Sequence, residues 1–337
     1  MNRRGPRVHS HGLFPKSWRE AHHLFHLLRE SISSVFVGQE EQVDRLVLLG
    51  VRHLARDLVQ PTTPLRALIL GPASSGKSVL LRTFAEALGL PHSVIPAQSM
   101  AEQNWSGSDV GDFIGRLYEG VAFAPSLIGA TALVERAVVG IDGLDALRLP
   151  GRYGSASSRD YQLGRQQSLV PLFEGGVVPV ERNGSSVYWP SRNALVIACG
   201  IFVGLPARVP SADDLTDWGL IPQLSDRLAA GTLLRVTAPL RAHVPAIIER
   251  SLETPKQAFA LFGYELSVSQ EAIAFVADRI NLGEANSGVG EAIGWIAEAA
   301  ERVLAGMVRH GAAPATRHVL APDDIRMVPR SRGTWRE

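Results

Sequence analysis

Cysteine and lysine are both scarce in this sequence. The single cysteine, Cys199, excludes an internal disulfide framework and a thiol-rich zinc module. On its own it reads as a small buried apolar residue. Lysine occurs only at Lys16, Lys77 and Lys256, so arginine supplies almost all the positive charge. Charge of either sign is not in excess: the net value of +1 gives no basic footprint for nucleic acid and no polybasic patch for a membrane surface. No apolar run reaches the ~18 residues that cross a bilayer. The first residues, MNRRGPRVHSHGLFPKSW, are basic without an apolar run behind them, which is not the pattern of a signal peptide. The expected compartment is the cytoplasm. What remains is a chain with 45% hydrophobic residues, enough to bury a proper core, and of a length that suits one large domain or two medium ones.

Residues 1–16 are rich in Arg, His, Gly and Pro and are expected to be mobile. SWREAHHLFHLLRESI, from Ser17, has apolar residues at helical spacing, and a second amphipathic helix follows VFVGQ. PTTP at 61–64 breaks it. Then come an apolar strand, RALILG, a glycine-rich loop and a helix, SVLLRTFAEALG. That order opens an α/β unit. AVVGID at 137–142 and ALVIACG at 194–200 read as further buried strands. GRYGSASSRDYQLGR between them reads as a flexible loop. Beyond about residue 236 the pattern turns helical, with YELSV as one short strand. The expected fold is a parallel α/β sheet domain followed by a small, mainly helical domain. The expected divisions are an extension over 1–34, the large domain over 35–236, the small one over 237–329 and a polar tail over 330–337. No internal repeat is visible.

GPASSGKS at 71–78 fits the phosphate-binding pattern G-x-x-x-x-G-K-[ST]. Glycines let backbone N–H groups curl around phosphate oxygens, and the helix that follows points its positive end at them. The cradle runs through Gly71, Pro72, Ala73, Ser74, Ser75, Gly76, Lys77 and Ser78 into Val79. Lys77 is placed to reach the β- and γ-phosphates of ATP, and Ser78 to hold Mg²⁺. With only three lysines in the chain, one inside such a loop is hard to assign to chance. Asp142 ends the AVVGID strand, where a carboxylate faces the phosphate loop across the edge of a parallel sheet and takes the metal through water.

With these motifs in place the chain resembles the AAA+ ATPases, and within them the ClpX-type protein unfoldases, from about Val35 to Pro329. The resemblance implies further roles. VFVGQEEQV resembles the segment that caps the adenine, which puts Val35, Phe36 and Val37 at the base pocket. EQNWSGSDV at 102–110 resembles the first pore loop, with Trp105, Ser106 and Gly107 at its tip. SRDYQLGRQQSLVPLFEG at 158–175 resembles the second pore loop and the helix behind it, with Arg159 in the loop. LIPQLSDRL at 220–228 resembles the segment of the arginine finger, which falls on Arg227. Such a finger completes a neighbour's ATP site, so the resemblance implies a ring, six-membered by the family's habit, of this chain alone or with others.

Four departures accompany the resemblance. The glutamate that orients the attacking water is replaced by Gly143; Asp145, two residues on, stands where the family also has aspartate and is no obvious substitute. In SGVGEAIGWI at 287–296 the nucleotide-sensing arginine is replaced by Gly290, with Glu291 beside it. The loop that docks ClpX on its protease ring is missing from GIFVGLPARVPSADDLTDWGLIPQL, which argues against a partnership with the ClpP peptidase. The N-terminal zinc module is also missing.

Two readings follow. One is a motor that grips polypeptide with Trp105, for which the aromatic pore loop and Arg227 speak. The other is an assembly or regulatory subunit in which ATP is a structural ligand, for which Gly143 and Gly290 speak. A DNA-directed role lacks both a basic patch and a nucleic-acid module.

Overall fold

The computed structural model describes residues 14–59, 64–100, 110–120, 127–151, 155–182, 185–281, 289–313 and 315–326. The chain divides into two compact units, one of Met1–Pro72 with Gly76–Thr237 and one of Ala238–Glu337 with the short stretch Ala73–Ser75.

The first unit begins with two amphipathic helices, α1 (Trp18–Ser33) and α2 (Glu40–Leu54), then a short turn, α3 (Arg56–Val59). Ser17 caps α1 by accepting from the Glu20 N–H. After them run β1 (Leu65–Leu70), α4 (Lys77–Ala87), β2 (His92–Pro96), α5 (Val110–Gly120), α6 (Leu127–Glu135) and β3 (Val138–Asp142). The unit continues through α7 (Ala156–Glu174), β4 (Val177–Arg182), β5 (Ser185–Pro190), β6 (Leu195–Gly200), α8 (Ala212–Trp218), α9 (Pro222–Ala229) and β7 (Thr232–Arg235).

Five of these strands form one parallel sheet in the order β2-β3-β6-β1-β7. β1, β3 and β6 read as near-continuous apolar runs because both their faces are covered. Along β1, Ala67 and Ile69 join a core with α1, α2 and α4, while Leu68 and Leu70 join the core on the other face, with α5, α7, α8 and α9. The period of two along a strand divides the residues this way. The expected parallel α/β architecture is therefore present. β4 and β5 form a separate antiparallel hairpin. It is anchored by Trp189, fully buried, whose indole N–H donates to the Val134 carbonyl at 3.0 Å.

One expectation is overturned. The polar stretch read as a flexible loop is helical from Ala156 onward, and α7 runs unbroken to Glu174. Ser155 caps it by accepting from the Ser158 N–H at 3.2 Å. Residues 156–160 are all exposed, so the first turns carry no apolar stripe for periodicity to detect. The helix is held instead by its later turns, where Leu169, Leu172 and Phe173 are fully buried.

The second unit holds α10 (Val244–Ser251), α11 (Glu253–Leu261), β8 (Glu265–Val268), α12 (Gln270–Asn281), α13 (Val289–Arg309), β9 (Arg317–Leu320) and α14 (Pro322–Arg326). β8 and β9 pair in parallel, and Ile248, Phe259, Val276, Ile296 and Leu320 centre its core. The short strand at YELSV is thus present. No described helix is long and apolar enough to cross a membrane.

Candidate functional site

The loop from Gly71 to Gly76 joins the C-terminal end of β1 to α4, at the edge of the sheet where ligands of such folds bind. Two left-handed residues curl it, Ser74 (φ 56°) and Gly76 (φ 85°). Gly76 has a second reason to lack a side chain: a Cβ there would lie 2.7 Å from Cε2 of Phe36. Phe36, expected at a base pocket, is buried against this glycine. Its neighbours differ, with Val35 exposed and Val37 half-buried. Two residues on, Gln39 uses both ends of its amide on one backbone residue. Its Nε2 donates to the Thr237 carbonyl at 2.9 Å, and its Oε1 accepts the Thr237 N–H at 2.7 Å.

Lys77 starts α4 and is buried, with Nζ donating to the carbonyls of Gly71 (3.0 Å) and Pro72 (2.5 Å). Burial pulls its pKa below the ordinary lysine value, and Asp145 and Asp142 oppose that shift. The ammonium is thus folded back onto the loop, at the centre of the cradle. Ser75 is buried, and Val79 is exposed on the first turn of the helix.

Ser78 faces the end of β3. Its hydroxyl donates to Asp142 Oδ1 at 2.8 Å. The same oxygen accepts from the Cys199 thiol at 3.0 Å. Cys199 is opposite Asp142 in the β3–β6 register. Burial, then the bond to Asp142, pushes the thiol well above its usual pKa, so it stays protonated and donates. On the other side, Arg82 Nη2 is 3.9 Å from Asp142 Oδ2.

The residue after Asp142 has no carboxylate to offer. Gly143 is left-handed, φ 75° and ψ 40°, and begins the short turn Leu144–Leu147. A Cβ there would meet nothing within 4 Å. Asp145 is committed elsewhere: its Oδ1 accepts the Ile201 N–H at 3.1 Å and so ties down the end of β6.

The remaining candidates are dispersed. Arg227 is on α9, roughly half exposed, with Nη2 3.4 Å from Glu174 Oε1 at the end of α7. Arg159 is exposed on the first turn of α7, and Gly290 is exposed on the first turn of α13. Trp105, Ser106 and Gly107 lie outside the described residues.

No family model matches this chain. The ATP-dependent Clp protease ATP-binding subunit ClpX of Azotobacter vinelandii is 26% identical over 309 residues, covering 74% of this chain and 67% of that one. The ClpX of Porphyromonas gingivalis is 23% identical over 305 residues, covering 75% and 70%. ClpX 3 of Methylococcus capsulatus is 28% identical over 261 residues, covering 63% and 57%. The chain resembles the ClpX-type AAA+ ATPases. Set against that ClpX-type likeness, sequence reasoning missed three partners in the site. Cys199 is buried, as its reading as a small apolar residue implies, but its thiol also donates to Asp142. Arg82 and Glu174 gave no signal, because their importance comes from what the fold places beside them.

The residues fit a magnesium-bound nucleotide. Among the described residues no group of three or more His, Cys, Asp or Glu side chains forms a cation site. A magnesium ion bound with a nucleotide needs none, because phosphate oxygens and water fill most of its shell. Ser78 Oγ and Asp142 Oδ1, 2.8 Å apart, are two oxygens at one edge of the loop that could hold such a cation, the serine directly and the carboxylate through water.

Proposed function

We propose that this chain is a ClpX-like, ATP-binding AAA+ protein, a ring-forming remodeller or unfoldase of polypeptides with weak hydrolysis. The observation that carries the reading is the Ser78–Asp142 contact, which closes the phosphate loop on the end of β3 with Lys77 buried beneath. The relatives named above are ATP-binding subunits, and their likeness to this chain supports the same ligand here. Mg²⁺, when bound with the nucleotide, would supply positive charge at the phosphates. The chain's own part is to hold. Lys77 would leave the loop carbonyls for the phosphate oxygens, Ser78 would hold the metal with Asp142 reaching it through water, and Phe36 packs the loop from behind. On this reading Val35 and Val37 serve the base, and Trp105, Ser106, Gly107 and Arg159 serve as the contacts to the polypeptide substrate. Arg227 reaches the neighbouring subunit's site. The same reading assigns 35–236 to the nucleotide-binding domain and 237–329 to the helical one, in a cytoplasmic ring.

A specific observation favours a second reading, that of an assembly or regulatory subunit which scarcely hydrolyses ATP. Gly143 offers no base, and Asp145 is occupied by the Ile201 N–H. Removing a positioned catalytic group costs about a hundredfold to ten-thousandfold in rate. ATP titration by calorimetry beside steady-state phosphate release tests both. Binding with turnover below about 0.1 per second is expected. Absence of binding sinks both readings, and turnover of about 10 per second sinks the second.

A further inference from the structure

Arg82 is four residues beyond Ser78 on α4, so the two side chains leave neighbouring positions on one face of the helix. Both turn toward Asp142, but to different oxygens. Oδ1 receives the Ser78 hydroxyl at 2.8 Å and the Cys199 thiol at 3.0 Å. Oδ2 has the Arg82 guanidinium at 3.9 Å, a charge contact too long for a hydrogen bond. Asp142 thus turns one oxygen to the Ser78 hydroxyl and the other to a cation fixed to the protein. The guanidinium is largely exposed, so it has room to turn toward phosphate oxygens.

We infer that Arg82 supplies in cis part of the positive charge that Mg²⁺ brings to this edge, so that the chain holds nucleotide with little dependence on the metal. This rests on the reading of Gly71–Ser78 as the nucleotide cradle. Two effects act in the same direction. Without metal, the Asp142 carboxylate repels the triphosphate, and Arg82 offsets that repulsion while attracting the phosphates itself. With metal, the guanidinium and Mg²⁺ repel each other across one carboxylate, so the metal adds less. A single charge pair about 4 Å apart in water-like surroundings shifts an equilibrium by roughly fivefold. Such an arrangement suits a site that lacks a water-orienting carboxylate at Gly143, since there retention of nucleotide matters more than turnover.

The test is the ratio of ATP affinities with Mg²⁺ and with EDTA at constant ionic strength, by calorimetry, for the parent, Arg82→Gln and Arg82→Lys. The parent is expected to weaken about threefold when the metal is removed. For Arg82→Gln the ratio should be at least about five times the parent's, and Arg82→Lys should bring it back. A merely structural role would weaken binding equally in both buffers and leave the ratio unchanged; that result overturns the inference and leaves the nucleotide reading standing. A parent that binds no ATP in either buffer overturns both. Because Arg82 is largely exposed, the variants should melt with the parent.

Discussion

Ser78 and Asp142, 64 residues apart in sequence, meet at 2.8 Å across the end of the sheet. β6, which lies between β3 and β1 in the sheet, adds the thiol of Cys199 to the same oxygen. Ser78→Ala removes the hydroxyl and keeps the fold. ATP affinity in Mg²⁺ should fall about tenfold, since a hydrogen bond or ligand contact to a charged group contributes about 1.5–3 kcal/mol. In EDTA the loss should be smaller. Equal losses in the two buffers would place Ser78 outside the metal's shell.

Lys77→Ala should weaken ATP binding far more, in either buffer. In the free protein the ammonium donates to the carbonyls of Gly71 and Pro72, which with Asp145 and Asp142 support its charge against the desolvation that burial imposes. Calorimetric affinity equal to the parent's would sink the assignment of this loop.

How much of this was legible in the sequence differs from part to part. The strand, glycine-rich loop and helix around Gly71–Ser78 were, because the pattern is local: glycine and lysine at fixed spacing between a strand and a helix. β1, β3 and β6 were, because burial on both faces makes them continuous apolar runs. β2 (His92–Pro96) was not, since only Ile95 in it is fully enclosed. Nor was β4, where Pro179 interrupts the run. The thiol on Asp142 depends on the register between β3 and β6, strands separated in the chain by α7 and a hairpin, and no local pattern encodes such a pairing.

Arg227 should act between subunits. Its pairing with Glu174 is exposed, and such pairs contribute under about 1 kcal/mol, so a neighbour's phosphate can draw the guanidinium away. Arg227→Ala should leave ATP affinity of the isolated chain within about threefold and reduce both hydrolysis and nucleotide-promoted assembly. Light scattering at micromolar protein reads the assembly. The same monomer with and without ATP and Mg²⁺ would remove the ring from the reading.

Acid should loosen the first unit through His53. This side chain is wholly buried on α2, with Nε2 donating to the Arg136 carbonyl at 2.8 Å. Burial lowers its pKa from 6.5 to about 4, and the cations Arg56 and Arg136 add to the effect. The folded-state value lies below the unfolded one. The stability this histidine contributes is therefore present above pH 6.5 and is lost as pH falls toward 4, by roughly 3 kcal/mol. His53→Gln keeps a donor and cannot ionise. Its melting temperature should fall less steeply than the parent's between pH 6.5 and 4.5; parallel slopes would refute the assignment.

Gly143 decides whether the missing carboxylate is a single lost residue. An added side chain would have room, since nothing lies within 4 Å of a Cβ there. The backbone is the obstacle. At φ 75° and ψ 40° the residue is left-handed, which costs a side-chain-bearing residue about 1–2 kcal/mol. Gly143→Glu should accordingly fold with stability lowered by about that amount. The turn can recover ordinary φ only by swinging the new carboxylate away from its direction at the strand end. Hydrolysis should then rise by less than tenfold, under about 1.4 kcal/mol of transition-state stabilisation. Gly143→Asn separates the two effects, because asparagine tolerates the left-handed region and carries no base. If Glu and Asn variants bind ATP alike and hydrolyse it alike, the backbone at β3 no longer presents a base to the γ-phosphate. The site then serves retention of nucleotide. A hundredfold gain for the glutamate variant alone would mean that the rest of the hydrolytic site is intact, and the motor reading would lead.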